Sequence, residues 1–196
     1  VGIIANQPLF LAGSLTIDAS DKEARFIRFC DAFNIPLIFL VDTTGFLPGS
    51  QQEHGGILRH GAKILYAISE SVVPKIAVLI RKAYGGAKPA MGIDKDIGVD
   101  HIFAWPTGES AIMGAEAVAE VIYGKEISRA DDPEKFRKDK IRELKEAAKP
   151  YPMAYGELVD DIIEPGETRG RLISVLESLE GKREIRHPKR HGNIPL

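Results

Sequence analysis

Ile76-Ala-Val-Leu-Ile80, followed at once by Arg81-Lys-Ala-Tyr-Gly-Gly-Ala87, carries the clearest structural signal in the chain. Five consecutive apolar residues, three of them β-branched, lie between Pro74 and a Gly-Gly pair. That pattern predicts a buried strand ending in a tight turn. The same grammar recurs upstream, where Pro36 precedes Leu37-Ile-Phe-Leu-Val41 and predicts a second buried strand. Val1-Gly-Ile-Ile-Ala5 reads as another, followed by a turn around Gly13 and Ser14. Helical patterns alternate with these runs. Ser20-Asp-Lys-Glu23 has capping-box spacing and predicts a helix start. Phe26, Phe29, Cys30 and Phe33 then repeat at i, i+3, i+4 and i+7, the apolar stripe of one helix face, which places Cys30 in the core. A helix from near Gly55 carries Ile57, Gly61, Ile64, Leu65 and Ile68 on one side.

Shorter apolar pieces follow at 101–105 and 111–113, then a helix over 115–123. Alternating strands and helices with short joins predict an α/β fold. Residues 132–149 differ in character: Pro133 suits a first helical position, and Glu134/Lys138, Lys135/Asp139 and Arg142/Glu146 are opposite charges four apart. With only Ile141, Leu144 and Ala148 as an apolar stripe, this reads as a solvated helix projecting from the body. A last amphipathic helix is predicted over 168–181, ahead of a basic tail. The expected organisation is one domain with a core over about 1–128, the projecting helix over about 132–149, and a C-terminal helix and tail over about 150–196.

Composition narrows the possibilities. The 196 residues are 44% hydrophobic, 28% charged and 7% aromatic, the ordinary range for a globular domain. A chain of this length hides roughly 70% of its unfolded surface, enough for one core without disulfides or metals. No apolar run approaches the roughly 20 residues of a membrane span. The net charge of -2, from 26 Lys+Arg against 28 Asp+Glu, lacks the basic excess of a nucleic-acid binder. A single cysteine, Cys30, excludes an internal disulfide and points to a reducing compartment. The opening at Val1, with no Met or leader before a strand-like run, suggests a piece cut from a longer chain.

Few side chains announce chemistry. Gly85-Gly86-Ala87 is either a plain strand-to-helix turn or a backbone oxyanion hole, since small residues let amides approach a ligand closely. The loop from Gly45 to Gly56, containing Phe46, Glu53 and His54, either lines the same cleft or is a surface loop. No Gly-x-Ser-x-Gly elbow supports a hydrolase triad. His54 and His60 lie six apart, poor spacing for a shared metal, and read as packing or hydrogen-bonding residues. A phosphate loop of the Gly-x-x-x-x-Gly-Lys type and a Gly-x-Gly-x-x-Gly dinucleotide turn are both absent. Lys182, Arg183, Arg186, Lys189 and Arg190 form either a phosphate-binding cluster or, by preference, a solvated tail.

A wider set of motifs resembles a known family. Ala5-Asn-Gln-Pro8, Gly13-Ser-Leu-Thr-Ile-Asp18, Ala24-Arg-Phe-Ile-Arg28, Leu40-Val-Asp-Thr43, Gln52-Glu-His-Gly-Gly-Ile57, Arg59-His-Gly-Ala-Lys63, Arg81-Lys-Ala-Tyr-Gly-Gly-Ala87, Ala104-Trp-Pro-Thr107, Met113-Gly114 and His191-Gly-Asn-Ile-Pro-Leu196 run in order along the chain. Together they resemble the C-terminal half of the biotin-dependent acyl-CoA carboxyltransferases. Within that family the likeness is greatest to the propionyl-CoA carboxylase β, transcarboxylase and methylmalonyl-CoA decarboxylase types.

The resemblance implies a crotonase-type α/β superhelix of ββα units with a helical C-terminal extension. It implies a homo-oligomer, trimer or hexamer, whose active site joins this half to a missing N-terminal carboxyltransferase domain, so the fragment alone is expected to be inactive. Biotin is expected on a partner, the biotin carboxyl carrier protein, because no Ala-Met-Lys-Met attachment sequence occurs here. A biotin carboxylase is expected as a further partner and an acyl-CoA as substrate, in the cytoplasm or mitochondrial matrix. Carried over by position, the amides of Gly86 and Ala87 form the oxyanion hole for biotin, with Gly85, Lys88, Pro89, Gly45, Phe46, His54, Gly55 and Gly56 around the substrate. Such a site needs no side-chain base. The alternatives are the α subunit of a sodium-pumping methylmalonyl- or glutaconyl-CoA decarboxylase, or a non-catalytic assembly module. The sequence departs from the family at Thr44, where Pro is usual, and at Lys88 and Pro89, where Tyr and an acyl-pocket residue are usual.

Overall fold

The computed structural model describes residues 1–156, 158–185 and 191–195. Along the chain run β1 (Gly2–Ala5), α1 (Ile17–Ala32), β2 (Leu37–Thr43), α2 (Ser50–Gly55), α3 (Ile57–Glu70), β3 (Lys75–Tyr84) and α4 (Ala87–Ala90). Then come β4 (His101–Ala104), β5 (Glu109–Ala111), α5 (Ala115–Ile127), α6 (Pro133–Ala147), α7 (Pro150–Tyr155), β6 (Asp161–Ile162) and α8 (Thr168–Ser178). The strands form one parallel sheet in the order β1-β2-β3-β4-β6, with β5 paired to the far end of β3.

Alternation along the strands builds two apolar layers, because successive side chains point to opposite faces. Phe39, Val41, Ala77 and Leu79 pack on one side with Ile27 and Cys30 of α1 and Ile64, Ala67 and Ile68 of α3. On the other, Ile76, Val78 and Phe103 meet Leu172, Val175 and Leu176 of α8. Cover on both faces is why β3 is apolar without interruption from Ile76 to Ile80. Its first residue, Lys75, is fully buried and donates to Ile68 O at 3.0 Å and Ser71 O at 2.6 Å. A cation there complements the carbonyl groups gathered at the end of α3.

Several expectations give way. Helix α1 begins at Ile17, not at the 20–23 box: Thr16 is the N-cap and accepts the Ala19 N–H at 3.1 Å. Ser20 instead lies inside the helix and donates to Thr16 O at 2.7 Å. The phenylalanine stripe faces outward, with Phe29 at 52% and Phe33 at 65% exposure, while Cys30 at 1% is core as expected. Helical periodicity allowed two overlapping arcs here. The arc with small residues, Ser20 and Ala24, is the one buried, and it lets α1 approach its neighbour closely. The helix expected from Gly55 is split, since Gly56 is left-handed at φ 91° and separates α2 from α3. Of the apolar piece 111–113, Ala111 ends β5 and Ile112 is 82% exposed.

Of the ion pairs expected in α6, Glu134–Lys138 forms at 2.7 Å. Arg142 pairs with Asp139, however, and Glu146 with Lys149, because positions three apart are as near on a helix surface as those four apart. Helix α6 lies along α5, linked by Lys145–Glu116 and Arg137–Glu120 at 2.7 Å. Lys182 is no solvated tail residue: it is 10% exposed and bonds Asp100 at 2.8 Å, closing the α8 end onto β3 and β4. Arg183 donates to Lys182 O, whereas Arg186, Lys189, Arg190 and Leu196 lie outside the described residues.

Candidate functional site

The site begins with a fault in the sheet. β2 and β3 run in register as far as Val41 opposite Leu79, then shift so that Thr43 faces Ala83. Asp42, buried at the fault, accepts from Arg81 Nε at 3.0 Å and from the Lys82 N–H at 3.3 Å. Its own N–H donates to Asn6 Oδ1 at 3.1 Å. A bulge of this kind re-aims the chain beyond it. Here the fault directs two segments, 43–49 and 84–87, toward each other.

The first segment is held from below. Leu15 N–H donates to Gly45 O at 3.0 Å and Leu47 N–H to Leu15 O at 2.8 Å, while Thr44 Oγ1 lies 2.9 Å from Ser14 Oγ. Thr44 thus supplies a hydroxyl contact that proline at this position would lack. Phe46, clasped between these bonds, lays its ring against two glycines. A Cβ on Gly61 would sit 2.7 Å from Phe46 Cζ, and one on Gly86 would sit 3.6 Å from Phe46 Cε2.

The second segment is the Gly-Gly turn. Gly85 adopts φ 58° and donates to Ala111 O at 3.0 Å, while Lys88 N–H donates to Gly85 O at 3.1 Å. Among the described residues, the N–H groups of Gly86 and Ala87 meet no acceptor. Gly86 is exposed, and Ala87 is fully buried as the first residue of α4. Beside the turn, Tyr84 Oη donates to Glu109 Oε2 at 2.6 Å. Burial, and then that carboxylate, push the tyrosine hydroxyl far above its ordinary range.

Phe46, Glu53, Ile57, Gly61, Leu65 and Gly86 line a cleft of about 350 Å³. Phe46, Glu53 and Gly86, from two separate glycine-rich stretches, therefore meet. The other expected site residues do not reach this cleft. Gly45 has open space around it, His54 and Gly55 end α2 at the surface, and Gly56 forms the joint to α3. Lys88 and Pro89 are half-buried in α4 and line none of its wall. Missed in the sequence were the walls from α3, although one signal was there. A glycine on the buried face of a helix costs about 1 kcal/mol relative to Ala, and Gly61 repays this by admitting the Phe46 ring.

Between α1 and α3 three titratable groups bond to one another. His60 Nδ1 lies 2.9 Å from Asp21 and 3.2 Å from Lys63 Nζ, which itself donates to Asp21 at 2.9 Å. Partial burial pushes the Asp21 carboxyl upward, but the bonds from Lys63 and His60 outweigh it and hold the pKa below the ordinary value. Among the described residues no group of three His, Cys, Asp or Glu could hold a metal ion. None of their helices is long and apolar enough to cross a membrane.

The parallel sheet, its helical cover and the glycine turn beside the fault make this a crotonase-like α/β fold. A family profile for the carboxyl transferase domain matches residues 1–194, and the chain belongs to that family. It is 56% identical over 196 residues to the methylmalonyl-CoA carboxyltransferase 12S subunit of Propionibacterium freudenreichii subsp. shermanii, covering 100% of this chain and 37% of that protein. It is 55% identical over 197 residues to the methylmalonyl-CoA decarboxylase subunit alpha of Propionigenium modestum, covering 100% of this chain and 38% of that protein. A crystal structure of transcarboxylase 12S, solved as a hexamer assembly with methylmalonyl-coenzyme A and methylmalonic acid bound, superposes with TM-score 0.97 at 55% identity. The match covers 100% of this chain and 38% of that one, so the chain spans under two-fifths of the length of these relatives.

Proposed function

We propose that residues 1–196 form the C-terminal domain of a biotin-dependent acyl-CoA carboxyltransferase, with a core over about 1–128, a projecting helix over about 132–149 and a C-terminal helix and tail beyond. The reaction is carboxyl transfer between biotin and the α-carbon of an acyl-CoA such as propionyl-CoA or methylmalonyl-CoA. One observation carries this reading: two successive main-chain N–H groups, at Gly86 and Ala87, that meet no acceptor among the described residues, the first lining an apolar cleft. A neutral bicyclic ring with one polar oxygen suits such a place, with apolar wall for the ring and amides for the oxygen.

Biotin, carried on a partner protein, supplies the nitrogen that holds the carboxyl group. The chain's own residues bind and orient. Gly86 and Ala87 would donate to the ureido oxygen and stabilise negative charge there, and Phe46 and Ile57 would keep water from the ring. Fixed donors in a dry site stabilise developing charge without reorganising, and losing one typically costs about a hundred- to a thousandfold in rate. The acyl-CoA is held mainly by an N-terminal domain outside these residues, so proximity across that junction governs turnover. The proposal extends to a homo-oligomer, in line with the hexamer assembly of the transcarboxylase 12S structure, and to a biotin carboxyl carrier protein and a biotin carboxylase as partners in the cytoplasm or the mitochondrial matrix.

A second reading is favoured by the identity with the decarboxylase subunit alpha, namely the same transfer run from acyl-CoA onto biotin. In the complete enzyme, Gly86→Pro removes one donor at a residue whose φ of -66° already suits proline. Turnover with biotin and methylmalonyl-CoA is expected to fall at least about a hundredfold. An undiminished rate removes Gly86 from the site. The 196-residue chain by itself is expected to show no transfer, and measurable turnover by it would refute the shared-site reading.

A further inference from the structure

The 85–87 turn is tied to β5 by the Gly85 N–H, which donates to Ala111 O at 3.0 Å, and just before the turn Tyr84 Oη donates to Glu109 Oε2 of β5 at 2.6 Å. On the reading of Gly86 and Ala87 proposed above, we infer that Tyr84 and Glu109 are positioning residues for the two amide donors. Their hydrogen bond locks β5 against the end of β3, and β5 fixes the peptide from which those donors project.

The need for a lock comes from how little else holds β5. It has three residues, all only partly buried, paired to β3 as Lys82↔Glu109, Ala83↔Ser110 and Tyr84↔Ala111. On its other side, Ser110 N–H donates to Ala148 O at 2.9 Å. A strand so short, with no buried face, has weakly specified register. Tyr84 and Glu109 lie on the same face of the pair as diagonal neighbours, since Lys82 stands directly opposite Glu109 and residues two apart share a face. Their bond is short and made to an acidic side chain, the stronger kind. Lys82 Nζ lies 5.8 Å from the Tyr84 ring centre and adds support on the same side.

A shift of β5 reaches the donors directly. The Gly85 N–H is bonded directly to Ala111 O, and a Cβ on Gly85 would sit 3.2 Å from Ile112 O, so the turn leaves little room for a side chain there. Displacing a catalytic group by about 1 Å can cost about a hundredfold, even from a change remote from the reacting atoms. Tyr84 and Glu109 need not touch any ligand to matter at this scale.

The test uses the complete carboxyltransferase, with biotin and methylmalonyl-CoA. Tyr84→Phe removes one hydroxyl and keeps the ring; kcat is expected to fall about thirtyfold, with the KM for acyl-CoA within about twofold. Glu109→Ala is expected to match it, and the double variant to be no worse than either single change, as for two residues acting as one unit. Glu109→Gln keeps an acceptor oxygen and is expected to restore kcat to within about threefold. Unchanged kcat in Tyr84→Phe and Glu109→Ala, beside a Gly86→Pro enzyme that has lost turnover, overturns the positioning role alone. Additive losses in the double variant, or no rescue by Glu109→Gln, overturn it as well. A Gly86→Pro enzyme with full turnover overturns both this role and the function on which it rests.

Discussion

The α1–α3 contact and the 85–87 turn invert what residue types suggest about where chemistry happens. The contact holds a carboxylate, an imidazole and an ammonium within 3.2 Å of one another, a familiar constellation of reactive groups. The turn offers two glycines and an alanine. Yet Asp21, His60 and Lys63 bond to one another, whereas the Gly86 and Ala87 amides have no acceptor among the described residues. Availability differs from reactivity: a group already satisfied is closed to a ligand, and an unsatisfied amide beside a cleft is open to one.

The contrast breaks most readily at Gly61. Alanine in a helix interior normally stabilises by about 1 kcal/mol over glycine. Here the added Cβ would sit 2.7 Å from Phe46 Cζ and force the ring toward the cleft. Gly61→Ala is therefore expected to lower the melting temperature, reversing the usual sign, and to cut turnover of the complete enzyme about tenfold through the displaced ring. A rise in melting temperature with normal kinetics would mean that Phe46 does not shape the site.

Glu23 gives a smaller effect and sharpens the comparison from the other side. It is a buried carboxyl on α1 with Oε1 lacking a partner among the described residues. Burial raises its pKa well above the ordinary 4.5. The folded chain then binds this proton more tightly than the unfolded chain, so stability falls as pH rises from about 4.5 toward the raised value. Replacing Glu23 with Met is expected to flatten that decline and to stabilise the 196-residue chain at neutral pH by about 1–3 kcal/mol, the cost of an unpaired buried polar group. Urea midpoints across the pH range measure it, and an unchanged slope would show that Glu23 is solvated or paired.

Local patterning made the strands readable and left the cleft unreadable. Residues 37–41 and 76–80 lie between helices on both faces, so burial wrote an unbroken apolar run into the chain, and the Gly-Gly turn comes next by chain geometry. Phe46, Gly61 and Gly86 come together only because the register of β2 and β3 shifts at Asp42, and no local period encodes that shift. Tyr84 and Glu109 are joined by another long-range pairing, that of β3 with β5. The misread face of α1 has a different cause. Its phenylalanines and its small residues both fit a helical period, and only the fit against α3 chooses between them. Motif resemblance identified the family from residues that periodicity alone could not rank.

Asp21 tests the satisfied region with the least expected change. Its carboxyl is held below the ordinary 3.8: partial burial works upward, but the Lys63 and His60 bonds prevail. The unfolded chain therefore binds the proton more readily than the folded one, and the contribution is present above pH 3.8 and lost as pH falls through the lowered value. Because the side chain is 42% exposed, solvent screens the pair, and Asp21→Asn is expected to cost under about 1 kcal/mol at neutral pH. It should also remove part of the acid-induced loss of stability while leaving turnover of the complete enzyme within about twofold. A turnover loss comparable to that of Gly86→Pro would reverse the assignment of roles, making the Asp21–His60–Lys63 cluster the reactive centre and the turn its scaffold.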